Sequence, residues 1–313
     1  MHSSILTASP VLRRTLVALF LTASLGAQTT PAAAPAAAPP AAAAPSTSLF
    51  AVAEAQYEHD FSAGIKNTGS GELNVDHFGL GVKASQDWDQ NHLVSELGYT
   101  FVHYDFTGVQ APFSSVNKIG GSVLYTRDID AQWGAFGYLG AMIAADSTTN
   151  FFDGSQIAFA AGPTYKFSED LNVDIGPMIY TRLEDSATWT AFAEAHWKFA
   201  PQWELHAYAG ASNGVTVAYD IFNNHATVAD ATVEYNSHWF EVSSVAGGSR
   251  SVNETETVLK LGVRQMLNES CFVRGYVSML LSREYQFHIA GNSANSFDVN
   301  DTLGLGIEIG TAF

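Results

Sequence analysis

The chain has 313 residues, with 14 Lys and Arg against 31 Asp and Glu, a formal charge of −17. That balance argues against a nucleic-acid partner, because phosphate binding needs a positive surface. The only cysteine, Cys271, allows no intramolecular disulfide and no four-thiolate zinc site, and it reads as a small half-buried residue at a strand start. No apolar run of about 18 residues follows the N-terminal segment, which excludes ordinary transmembrane helices. It leaves open a membrane barrel, whose alternating strands score weakly on hydropathy.

Residues 1–27 are expected to be a cleaved secretory signal. Arg13 and Arg14 supply the positive region, and Leu16 to Leu21 form an apolar core too short to span a bilayer as a helix. Ser24, Gly26 and Ala27 offer small residues for cleavage after Ala27, and no Cys follows to anchor a lipid. A retained helical anchor is the alternative. Cleavage leaves 12 basic and 31 acidic residues, a charge of −19. Residues 28–48 are rich in Ala and Pro. Proline blocks helices and ladders, and alanine has little surface to bury, so this reads as an extended periplasmic linker.

From residue 49 the chain is punctuated by short turn signals: Gln86–Asn91, Arg127–Asp130, Phe167–Asp170, Phe199–Gln202, Asp220–Asn224 and Met266–Ser270. Asp, Asn and Ser favour tight turns by bonding their own backbone. Looser segments alternate with them: Ser62–Asn74, Thr107–Ser115, Asp146–Gly154, Val245–Glu254 and Ala290–Phe297. Alternating short and long connections predict an all-β, transmembrane up-and-down antiparallel β-barrel over 49–313. Strands are expected near 49–61, 75–87, 92–106, 116–128, 131–146, 154–167, 171–184, 187–199, 202–211, 214–221, 225–243, 255–267, 271–288 and 299–313. The count is about 14; if 214–221 and one other segment lie outside the wall, it is about 12.

Alternation assigns outward sets: Phe78, Leu80 and Val82; Leu97, Tyr99 and Phe101; Ile157, Phe159 and Tyr165; Val173, Ile175 and Ile179; Leu259, Leu261 and Val263. Strand 131–146 is apolar in both registers. Trp88, Trp133, Trp197 and Trp203 fall beside tight turns, where indole rings suit a headgroup-level girdle. Pairing Pro163 with Pro177 around the turn near Asp170 predicts Lys166 opposite Asp174, both inward.

The inward sets hold the charges. Candidate lumen-lining residues are Lys83, Glu96, Lys118, Lys166, Asp174, Arg182, Glu194, His196, Glu204, His206, Lys260, Arg264, Arg274 and Glu308, with Glu54, Glu58, Lys198, Asp230 and Glu234 beside them. Mixed signs predict a hydrated lumen with charges paired across strands, or a pore whose field selects solutes. One register places His196 opposite Glu204 and Glu194 opposite His206. The plainer reading is cross-strand His–Glu bonds; metal binding or acid–base work is the sharper one. No metal, cofactor or catalytic residue is assigned. His59 with Asp60 and His103 with Asp105 lie at the long-loop rim, too little for an enzyme. The outer loops look short to moderate, without a dedicated lid or plug.

The last strand alternates large and small. Leu303, Leu305, Ile307, Ile309, Thr311 and Phe313 share one face; Gly304, Gly306, Glu308, Gly310 and Ala312 share the other. A terminal Phe on such a strand, behind a signal segment, resembles the closing strand of bacterial outer-membrane β-barrels. That resemblance implies an outer-membrane location, lipid contact, and Phe313 as part of the signal read by the barrel-assembly machinery. The doubled Gly-Pro, Gly162-Pro163 and Gly176-Pro177, around a Phe-Ser-Glu-Asp-Leu turn resembles an uncharacterised family of outer-membrane barrels, and carries no site residues. The expected role is a passive, porin-like channel for small polar solutes. The alternatives are a non-conducting structural barrel and, third, an enzyme.

Overall fold

A computed structural model describes residues 48–313 apart from 67–69, 150, 182, 184–185, 211, 244–250 and 290–291. The expected signal, almost all of the linker and Arg182 lie outside the described residues. The strands are β1 (Ser48–Gly64), β2 (Glu72–Trp88), β3 (Asn91–Thr107), β4 (Ser115–Asp128), β5 (Trp133–Asp146), β6 (Ser155–Ser168), β7 (Leu171–Tyr180), β8 (Thr188–Ala200), β9 (Trp203–Ala209), β10 (Asn213–Asp220), β11 (Thr227–Glu241), β12 (Ser251–Met266), β13 (Cys271–Ile289), β14 (Asn292–Asp298) and β15 (Thr302–Ala312). Neighbours pair antiparallel from β1 to β13, β13 pairs with β15, and β15 returns to β1 through Ala55 opposite Ile309. Fourteen strands therefore close a barrel, which leaves no sheet edge in the wall. The segment 214–221 is a wall strand after all, as β10. The extra strand, β14, hangs on the outer end of β13.

Turn chemistry sets the short connections. Asp89 sits at φ 50° between Trp88 and Asn91, a left-handed conformation that Asp tolerates. The Asp130 carboxylate accepts the Gln132 and Trp133 backbone N–H groups, which holds its pKa below the usual value. Asp220 and Asn268 cap their turns in the same way.

The alternation sorts side chains as expected. Leu97, Leu139, Ile157, Ile175, Leu261, Leu305 and Ile309 stand on the outside. An apolar belt around every strand suits hydrocarbon rather than water. Strand β5, ambiguous in sequence, turns Trp133 and Leu139 outward and Phe136, Tyr138 and Met142 inward. Aromatic rings crowd the tight-turn end. Trp133 packs on Tyr165 at 4.6 Å, Trp203 on Tyr219 at 4.6 Å, and Trp197 on Phe199 at 5.3 Å. This is the girdle that the Trp spacing predicts.

The Gly-Pro hairpin is a correction. The observed register pairs Thr164 with Asp174 and Lys166 with Asn172, two residues away from a Pro163–Pro177 match. Pro lacks a ladder donor, and the two strands instead approach at Gly162 and Gly176. A Cβ on Gly162 would lie 2.1 Å from the Ile175 carbonyl oxygen, so only glycine fits.

At the long-loop end the wall strands do not stop at the rim. Trp239, Phe240, Glu241 and Val242 are all buried in succession, and so are Ser251 to Glu254. A strand buried on both faces has left the wall for the interior. Ser282, at φ 53°, marks a bulge where β13 bends and its pairing moves from β15 to β14. The outer ends of β11, β12 and β13, with β14, form an inward-folded lid. The lid packs against β2, β3 and β4 in one apolar core. Phe113 meets Tyr104 at 4.9 Å and Phe240 at 5.2 Å, and Tyr285 meets Phe297 at 4.8 Å. Burying each Val, Leu or Phe there contributes about 1.5–3 kcal/mol. The expectation of no lid fails because the lid is built from strand extensions, not from a long loop.

Candidate functional site

Beneath the lid the lumen holds tiers of ion pairs. In the first, Arg283 donates to Asp60 at 2.6 Å and to Glu256 at 3.0 Å. Tyr104 and Tyr285 both donate to Glu254, at 3.0 and 2.6 Å. Of this tier the sequence singles out only Asp60, as a rim residue. Arg283 falls on the outer face if the alternation of β13 is counted straight through, and the bulge at Ser282 turns it inward. Glu254 was placed in a loop. The rim group is also split: Asp60 faces the lumen, while His59 bonds Asp76 at 2.8 Å on the outer wall.

In the second tier Lys260 reaches Glu58 at 3.3 Å, and Ser278 and Tyr276 donate to the same carboxylate. In the third, Arg274 holds Asp230 at 2.5 Å and Glu308 at 3.4 Å, all three buried. Arg283–Asp60 and Lys260–Glu58 join β13 and β12 to β1 where the barrel closes, and the third tier joins β11, β13 and β15.

The wall from β2 to β6 carries Lys83 with Glu96 at 2.7 Å and Lys166 with Asp128 at 2.5 Å. Lys166 therefore does not meet Asp174. Lys118 and Asp174 are buried on the inner wall, as expected. Tyr208 donates to Glu234 at 2.7 Å. Lys198, Glu204 and Arg264 occupy inward positions on their strands.

Glu204 does not join the histidine cluster. The β8–β9 ladder, bulged between Trp197 and Ala200, lies two residues from the expected register, so His196 faces His206. Their rings stack at 4.2 Å and 8°, and each Nε2 lies 2.9 Å from the same Glu194 Oε1. Among the described residues these three are the one group of His and carboxylate donors converging as metal ligands could.

Between lid and ion pairs lies a cavity of about 200 Å³, lined among others by Glu54, Glu96, Ser122, Tyr138, Met142 and Trp239. Its floor on the wall is a row across four strands: Glu54, Gly81, Gly98 and Gly120, each paired to the next. Three adjacent glycines remove side chains where the lumen would otherwise be filled. The sequence alone does not show that cross-strand register aligns these glycines.

No family model matches the chain, and no curated protein matches it. Among solved structures, an outer-membrane channel from Pseudomonas putida F1 is 12% identical, covering 85% of this chain and 95% of that one, with a TM-score of 0.48. A Rh. blastica porin variant is 12% identical over 86% and 100%, at 0.33. The P. putida toluene transporter TodX is 9% identical over 85% and 90%, at 0.35.

Proposed function

We propose that the chain is an integral outer-membrane barrel, with tight turns toward the periplasm, serving as a channel for small polar solutes that rests closed. One observation carries this: a charge-lined lumen with an open cavity lies beneath a lid made from the wall's own strands. The apolar belt and aromatic girdle support the membrane location. A lid hinged by strand bends can move without opening the barrel. Mixed charges in the lumen favour small polar solutes over apolar ones.

The second reading is a non-conducting structural barrel. The buried Arg274–Asp230–Glu308 set favours it, because such pairs fill lumen space. No catalytic role is proposed for the His59–Asp76 pair. Recognition of Phe313 by the barrel-assembly machinery belongs to the same proposal. Its side chain stands exposed on the outer face while its backbone pairs with Ala51.

Single-channel recording of the refolded protein in a planar bilayer, with a heat-shift gel to show folding, tests the channel. Discrete openings support it. A folded but silent barrel, also silent once the lid is destabilised, overturns it in favour of the structural reading.

A further inference from the structure

We propose that Glu194, His196 and His206, with Asp174 beside them, form a binding site for a divalent transition-metal ion on the inner wall near the tight-turn end. The donor set is two imidazoles and a carboxylate, which suits Zn²⁺, Cu²⁺, Ni²⁺ or Co²⁺ rather than Ca²⁺ or Mg²⁺.

The geometry is convergent. Both histidines aim the same nitrogen, Nε2, at one oxygen, and the three donor atoms lie within 4.8 Å of one another. Bonds of about 2.0–2.2 Å at tetrahedral angles place donors about 3.3 Å apart. The present 2.9 Å N–O separations therefore need to open by only a few tenths of an ångström.

A second observation points to a missing cation. Asp174 lies directly opposite Glu194 across the β7–β8 ladder, is 6% exposed, and its Oδ1 accepts no hydrogen bond. Two neighbouring buried carboxylates need compensating positive charge. The nearby lysines are committed elsewhere, Lys166 to Asp128 and Lys83 to Glu96. A divalent ion held by His196, His206 and Glu194 supplies that charge beside Asp174. The proposal does not depend on whether the barrel conducts.

The test is a Co²⁺ titration of the refolded full-length protein in detergent, with folding followed by heat-shift gel. The expected result is one equivalent of Co²⁺ with a visible ligand-field spectrum, displaced by Zn²⁺, and a Zn²⁺-dependent rise in the temperature at which the heat shift occurs. H206Q and E194Q should lose both effects, and H225Q, at a tight turn, should keep them. Absence of stoichiometric metal on the folded wild-type barrel overturns the proposal, and so does unchanged binding in H206Q. If the variants fail to fold, wild-type protein decides through footprinting. Zn²⁺ should slow histidine acylation at His196 and His206 and not at His225; equal rates overturn the site.

Discussion

Glu241 of β11 pairs in parallel with Ala145 of β5, although five strands separate β11 from β5 along the wall. Only a strand that crosses the lumen can make that contact. Gln156 adds a hydrogen bond to the Trp239 carbonyl at 2.9 Å, and Thr148 one to Ser243 at 2.8 Å. Paired strands lie about 4.8 Å apart, within the Cα range of a disulfide. In a Cys271→Ser background, Glu241→Cys with Ala145→Cys should therefore lock the lid when oxidised. Channel activity should vanish under oxidation and return with reductant, while the heat shift stays unchanged. Conductance indifferent to the crosslink would separate the lid from the pathway.

Phe113 comes from the β3–β4 connection and sits at the centre of the lid core, touching Tyr104, Phe106, Phe240, Tyr285 and Phe287. Phe113→Ala should cost about 3–5 kcal/mol, part transfer and part cavity. The wall does not rely on this residue, so the loss should fall on the lid. Longer or more frequent openings and faster amide exchange in 237–242 are the expected readouts. Exchange that accelerates equally in β6 and β7 would show that lid and wall unfold together.

The number of wall strands was legible because period-two alternation and Asp, Asn and Ser turn chemistry recur along the whole chain. What failed were positions where one residue too many enters a ladder. The bulge at Ser282 reverses the phase of β13 and hides Arg283. The β8–β9 ladder, also bulged between Trp197 and Ala200, runs two residues from the register that its turn suggests and puts His206 opposite His196 instead of Glu194. A bulge leaves no unique mark in local composition; it is fixed by what the bent strand then buries. The lid did leave a trace, since Trp239, Phe240 and Val242 are apolar on both faces of a strand that should show one.

Arg274 neutralises two carboxylates that are themselves buried, Asp230 and Glu308. Arg274→Met should leave both carboxylates without their hydrogen-bonded cation, with Arg264 alone nearby, and cost about 3–5 kcal/mol in urea unfolding. The combined Arg274→Met, Asp230→Asn, Glu308→Gln variant removes the charges together and should recover most of that loss. Equal destabilisation of the single and triple variants would mean that packing of the guanidinium, rather than charge pairing, stabilises this tier.

Tyr276 lies flat against Gly306 on the inner wall, its ring within 2.4 Å of where a Cβ would stand. The ring is also tied to Glu58 through its hydroxyl at 3.1 Å and lies under Arg274. Gly306→Ala should therefore push the ring off its partners and cost about 1–3 kcal/mol as overpacking. Gly275, on the facing strand, points into open space, and Gly275→Ala should be nearly neutral. The difference between the two alanines, read from urea midpoints of the refolded barrel, isolates the ring contact from any general effect of replacing glycine.

Ile307 stands halfway along β15 on the outer face, whereas Leu49 stands at the tight-turn end of β1 beside Gln86. If the belt sits in hydrocarbon, a charge should cost most at mid-height and least at the rim. Ile307→Arg is expected to lose about 2–4 kcal/mol and Leu49→Arg about 0–1 kcal/mol in reversible urea unfolding from lipid vesicles. In water both residues are solvent-facing, and an arginine at either would be nearly free or favourable. The sign and the gradient together thus report the surrounding phase. Equal, small effects at both heights would argue that this outer face meets water or another protein instead of lipid.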